Sequence, residues 1–172
     1  MLAPGGWLKP FLSRGMGRLC FETGSIIVKH IYKTAVIPYK IGDMFVLVND
    51  ITEYPKFLPW CKSVKILSRT DTEVLATIAM GSIAMERTFT TQNVIKLNEW
   101  IEMRLVEGPF SHLRGYWHFR ALGETGSKIS LSMEFEISNK LLRIALEPVF
   151  TKIANTLVDA FVKRADQLYG KS

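Results

Sequence analysis

Residues 128–137 read KISLSMEFEI, and this stretch decides the fold. Ile129, Leu131, Met133, Phe135 and Ile137 share one parity; Lys128, Ser130, Ser132, Glu134 and Glu136 share the other. Side chains alternate across a strand, so the pattern predicts a half-buried antiparallel strand with one wet face. Just beyond it, Asn139 offers an N-cap and opens a helical period. Leu142, Leu146, Phe150, Ile153, Leu157, Phe161, Ala165 and Leu168 recur at steps of three and four, forming one apolar stripe that ends near Tyr169. Pro148 inside this helix is expected to kink it or divide it near Leu146, and Gly170 to stop it.

Working outward, 26–37 (IIVKHIYKTAVI) is β-branched and aromatic up to Pro38 and predicts a first strand. Ile41–Asn49 places Ile41, Phe45 and Val48 at helical spacing, and a second short helix is expected over Ile51–Leu58, before Pro59. Five further strand-like runs precede the decisive one: Ser63–Arg69, Glu73–Met80, Met85–Ile95, Trp100–Glu107 and Leu113–Leu122. The expected class is α+β: a curved antiparallel sheet of about seven strands around a long C-terminal helix, with two short helices after strand 1.

Composition narrows the function classes. A chain of 172 residues with 48% hydrophobic and 22% charged residues fits one globular domain, placed at 26–170. Cys20 and Cys61 cannot build a disulfide scaffold, and no C-x-x-C or H-E-x-x-H spacing marks a metal site. No uncharged apolar run approaches the length of a membrane-spanning helix, so a soluble domain is expected. Residues 1–25 read as a flexible basic extension rich in Gly and Pro, with a weak likeness to an organelle transit peptide. Of the net +6, residues 1–30 carry +3 and the other 142 residues +3, with no dense Lys/Arg cluster along the sequence. Charge alone therefore argues against a DNA partner and leaves weak attraction to anionic lipid or RNA open.

Strand parity sorts the candidate chemical groups. In 112–120, Leu113, Gly115, Trp117 and Phe119 face the apolar side, which sends His112 and His118 to solvent. Glu107 shares parity with Ile101, Met103 and Leu105, so a straight strand aims its carboxylate inward, with Arg87 as a partner; a turn at Gly108-Pro109 would instead leave it at the rim. It is the one acid–base candidate, and no nucleophile–base pair accompanies it. Tyr54, Phe57, Leu58, Trp60 and Cys61 crowd large groups around Pro55 and Pro59, as core or as the lining of an opening. Cys61 has no His or Lys beside it that would favour a thiolate.

Three motifs together carry a resemblance: Tyr54-Pro55-Lys56-Phe57-Leu58-Pro59-Trp60-Cys61, then Glu107-Gly108-Pro109-Phe110, then Leu113-x-Gly115-x-Trp117-x-Phe119. With the closing Arg164-Ala165-x-x-x-Tyr169, the chain resembles the coenzyme Q-binding protein family, whose bacterial members are also called ribosome association toxins. The resemblance implies a START-like helix-grip fold of the polyketide cyclase superfamily. It also implies a non-enzymatic protein that holds ubiquinone, a long-chain isoprenoid quinone, and supports respiration or quinone biosynthesis, with no catalytic cofactor. The implied tunnel is lined by Met103, Leu105, Trp117, Phe119, Met133, Phe135, Phe150 and Phe161, with Tyr54, Phe57, Leu58, Trp60, Glu107 and Phe110 near its mouth or head-group end. Isoprenoid tails are apolar, and each buried CH₂ is worth about 0.8 kcal/mol. Such a carrier would sit in the cytoplasm, peripherally at a bacterial inner membrane, or on the mitochondrial matrix side. The alternative within the family is a toxin that binds the large ribosomal subunit and blocks subunit joining. A third class, catalysis as in related cyclases and hydrolases, rests on Glu107 alone.

Overall fold

The computed structural model describes residues 28–82 and 85–170; the extension expected over 1–25 lies outside them. Gly126–Ile137 (β7) contains the decisive stretch, and its five apolar residues are all buried. It pairs antiparallel with the first strand, Lys29–Ile37 (β1), on one side and with Phe110–Leu122 (β6) on the other. Trp100–Glu107 (β5), Met85–Lys96 (β4), Glu73–Ser82 (β3) and Cys61–Arg69 (β2) complete a seven-stranded antiparallel curved sheet of order β1-β7-β6-β5-β4-β3-β2. The chain crosses from one sheet edge to the other between β1 and β2. It does so through the helix Ile41–Asn49 (α1), a single 3₁₀ turn at Ile51–Glu53 and the short helix Tyr54–Phe57 (α2).

Lys140–Tyr169 (α3) packs against β1 and β7 and buries Leu146, Phe150, Ile153, Ala154, Leu157, Val158, Phe161 and Ala165. Asn139 caps it: its side-chain Oδ1 accepts from the backbone N–H of Leu141 at 2.8 Å and more weakly from Leu142. The expected division at Pro148 does not occur. Proline removes the N–H that would bond the Ile144 carbonyl, but Ile144 and Pro148 are both exposed, so water can hydrate that carbonyl and the helix continues.

The apolar stripe drifts at its end. Leu168 is 49% exposed, while Tyr169, four residues after buried Ala165, closes the fold. Its ring lies 5.8 Å from that of Tyr39, its hydroxyl donates to the Asp43 carbonyl, and Tyr39 donates to Asp166 at 2.7 Å. Gly170 ends the helix in an extended conformation, not a left-handed one; a Cβ there would lie 2.3 Å from the Asp166 carbonyl oxygen.

Aromatic rings fill the core in two clusters along α3. Phe150 meets Phe110 at 4.8 Å and Phe135 at 4.6 Å, and Phe161 meets Tyr54, Phe57 and Trp117 at 5.1–5.3 Å. Edge-on ring contacts of this kind close space efficiently. What remains open lies between the two clusters, beside Ile153 and Leu157.

Candidate functional site

The inward face of the sheet and α3 enclose an apolar hollow of about 60 Å³. An engineered apolar cavity of about 150 Å³ holds one benzene ring, so this space is too small for a quinone head as it stands. Of the residues expected around a tunnel, Tyr54, Trp60, Met103, Trp117, Met133 and Phe150 line it. Phe57, Leu58, Leu105, Phe110, Phe119, Phe135 and Phe161 do not line it: they pack into the surrounding core, Phe119 edge-on to Phe45 at 5.3 Å.

Three polar residues that the sequence reading missed line this space, the half-buried Asn49 and two on β4. Thr91 and Asn93 are buried and line the hollow, and Asn93 Oδ1 has no hydrogen-bond partner among the described residues. The signal was present: Phe89, Thr91, Asn93 and Ile95 share one parity, and the flanking pair is apolar. The Tyr54 hydroxyl is already committed, donating to the Val48 carbonyl at 2.6 Å, and burial pushes its pKa upward. Burial likewise raises the Cys61 thiol to about 11, so it stays a neutral interior group.

Outside the hollow, a groove of about 420 Å³ runs between the first half of α3 and the end of β3. Met80, Leu146 and Val149 give it apolar walls, and Arg87 and Lys152 stand at its rim. Trp60 and Ile153 line both spaces, so they form the wall between them.

Glu107 does not point inward. In the β4–β5 ladder Thr90 pairs with Glu107 but Thr91 pairs with Leu105, so Val106 is an extra residue. This bulge shifts the parity by one and turns Glu107 to the solvent face. Gly108 then takes a φ of +153°, and the chain reverses at Pro109. Arg87 is not the partner of Glu107; it donates to the Glu86 carbonyl.

The buried carboxylate is Glu102, one residue out of phase, on the convex face. It is 3% exposed, covered by arginine side chains and not by the core. Arg104 donates to Oε2 and Arg114 Nε to Oε1, each at 2.7 Å. The Arg104 hydrogen bond chiefly, with Tyr116 and Arg114, holds this carboxyl at about 2, outweighing the burial that opposes it. His30, His112 and His118 all stand on the same convex face, and Glu134 lies 3.6 Å from His30 and 3.1 Å from His112.

No helix among the described residues is long and apolar enough to cross a membrane, and no group of three metal-ligating side chains occurs among them.

Comparison with known proteins accords with this architecture. Residues 37–162 match the family model for polyketide cyclase/dehydrase and lipid transport. A Pseudomonas aeruginosa protein named ribosome association toxin RatA is 43% identical over 141 residues, 82% of this chain and 98% of the relative. A Dictyostelium discoideum protein named mitochondrial coenzyme Q-binding protein COQ10 is 23% identical over 87% of this chain and 74% of its own length. Among solved structures, the Zhui aromatase/cyclase from Streptomyces superposes with a TM-score of 0.73 at 16% identity, covering 82% of this chain and 95% of that one, which speaks for the fold alone. The chain therefore belongs to the polyketide cyclase/dehydrase and lipid transport family, with a START-like fold.

Proposed function

We propose that this chain is a non-catalytic protein that associates with the ribosome, acting through its outer surface. The observation that carries the reading is how little interior space remains: about 60 Å³, narrowed by interlocked rings of α3 and the sheet. The relative named for ribosome association adds support, since this chain spans 98% of it at 43% identity. No carboxylate, imidazole or amine lines the hollow among the described residues, which favours binding over acid–base chemistry. Sucrose-gradient sedimentation with purified ribosomal subunits tests the reading. Co-migration with the large subunit at low salt, weakening as salt rises, is the expected result. Failure to migrate with either subunit at low salt would remove it.

A second reading is favoured by the wall at Trp60 and Ile153. Were it to open, the hollow would join the apolar groove outside, giving an isoprenoid chain a continuous path. The coenzyme Q-binding relative supports this reading at lower identity. Solvent extraction of the purified protein followed by mass spectrometry decides it: a stoichiometric quinone supports the carrier, and its absence counts against it.

A further inference from the structure

We infer that the convex face of the sheet, centred on Arg114, Tyr116, His118 and Arg120 of β6, is a binding surface for single-stranded RNA. The inference rests on the ribosome-association reading and deepens it by naming the face and the partner chemistry. Along the sequence these residues are diluted among apolar ones, but strand alternation brings every second side chain of β6 to one side. The three helices pack on the opposite side, and among the described residues nothing covers this face.

Its charges include two facing cationic pairs, with the carboxylates Glu102, Glu134 and Glu136 gathered toward the Arg114 end. Arg104 lies directly opposite Arg114 in the β5–β6 ladder, and Arg120 opposite Lys128 in the β6–β7 ladder. Like charges facing each other across strands are unfavourable. Glu102 bridges the first pair, but among the described residues no carboxylate comes within ion-pair distance of Arg120 or Lys128. A phosphate bound there would relieve the repulsion. The two pairs stand six residues apart on β6, about 20 Å.

Aromatic rings occupy the interval. Tyr116 and His118 stack at 5.7 Å with their planes 13° apart, and the Arg114 guanidinium lies 5.0 Å from the Tyr116 ring centre. Trp100 faces His118 across the β5–β6 ladder. Tyr32, 64% exposed, sits in the same cross-sheet row as Tyr116, with Ser132 between them. Flat rings flanked by cations suit unstacked bases, whose π-faces are available in single strands and hidden in a duplex. An acidic protein would use the cations and leave the rings idle, which is why RNA is the favoured partner.

The test is fluorescence anisotropy with a labelled 12-nucleotide single-stranded RNA and a duplex of equal length, run beside ribosome sedimentation. Wild type is expected to prefer the single strand. Combining Arg120→Glu with Lys128→Glu should reduce the salt slope by about 1.4, the loss of two phosphate contacts on a single strand, and weaken both RNA and ribosome binding more than tenfold. His118→Ala should weaken the single strand about tenfold with little change for the duplex. Reversing exposed Lys152 and Lys163 of α3, on the opposite side of the sheet, should leave binding near wild type. His118 and Arg120 are exposed and Lys128 is half-buried, and circular dichroism verifies folding. Wild-type RNA binding by the convex-face variants overturns the inference. So does ribosome association that survives in them, which assigns the contact to another face or to a ribosomal protein while leaving the functional reading intact. Face-dependent RNA binding without any ribosome association would instead sustain the inference and remove the functional reading.

Discussion

Trp60 and Ile153 face two spaces at once, the hollow between the sheet and α3 and the groove outside. The barrier between them is therefore two side chains, one from the loop after α2 and one from α3. Trp60→Ala should join the spaces at a cost of about 2 kcal/mol in stability, since the indole is only partly buried. The expected readout is stronger uptake of an apolar fluorescent probe, measured by titration against wild type. Unchanged uptake in a folded variant would mean that the wall lies elsewhere.

Two glycines, Gly115 lining the hollow and Gly108 at the turn after β5, differ in what they can tolerate. At Gly108, with φ +153°, a Cβ would lie 2.7 Å from the Phe89 Cβ and 3.2 Å from its Cα, so a side chain meets both strain and backbone. Gly108→Ala is expected to cost about 2–4 kcal/mol. At Gly115 an added Cβ would meet the Met103 Cε at 2.3 Å, the far end of a flexible side chain. Gly115→Ala should cost about 1 kcal/mol or less as Met103 swings aside. Urea unfolding of both variants checks the order, and a Gly115 variant as damaged as the Gly108 one would show that Met103 is fixed.

These contrasts mark where the sequence was readable. The β7 alternation and the Asn139 cap depend on neighbours one to three residues away, so local pattern was enough for the strand, the helix and the sheet wrapped around it. Glu107 misled because its direction depends on the bulge at Val106, a feature of pairing with β4 that no period within β5 reveals. Thr91 and Asn93 escaped because a polar residue on an apolar face reads as a break in the pattern and not as a lining group. The hollow's size was beyond reach for another reason. Volume depends on how Phe150 and Phe161 interlock with rings from three strands and α2, and ring count gives no measure of that. The convex face was hidden by dilution: Arg114, Tyr116, His118 and Arg120, separated by apolar residues along the chain, meet Lys128 only once alternate residues of β6 and β7 share a surface.

Glu102 sets a pH dependence whose sign is fixed by its environment. Its carboxyl titrates at about 2 in the folded chain against an ordinary value of 4.5. A depressed folded value stabilises the fold above about pH 4.5 and loses that contribution as pH falls toward 2. Glu102→Gln is expected to cost about 1–2 kcal/mol at neutral pH, discounted for the solvent reaching both guanidiniums. Thermal melts from pH 7 to pH 3 should show the deficit shrinking with acid. A deficit constant across that range would mean that the ion pairs with Arg104 and Arg114 contribute nothing measurable.

Asn93 offers the sharpest test of whether the hollow is idle. Its Oδ1 is buried without a partner among the described residues, in a hollow lined mostly by apolar groups, and a desolvated carbonyl left unpaired costs about 1–3 kcal/mol. Leucine has a similar volume and no such oxygen, so Asn93→Leu should raise stability by about 1 kcal/mol in protein stripped of lipid by solvent extraction and refolding. Asn93→Asp should do the reverse by more, because it buries a carboxylate with no cation beside it. If the leucine variant is instead less stable than wild type as isolated from cells, yet more stable after stripping, the oxygen serves a co-purifying molecule. Because Met103 lies opposite Asn93 in the β4–β5 ladder and lines the same hollow, such a molecule would sit against Met103, where a methionine-methyl NMR signal would report its removal.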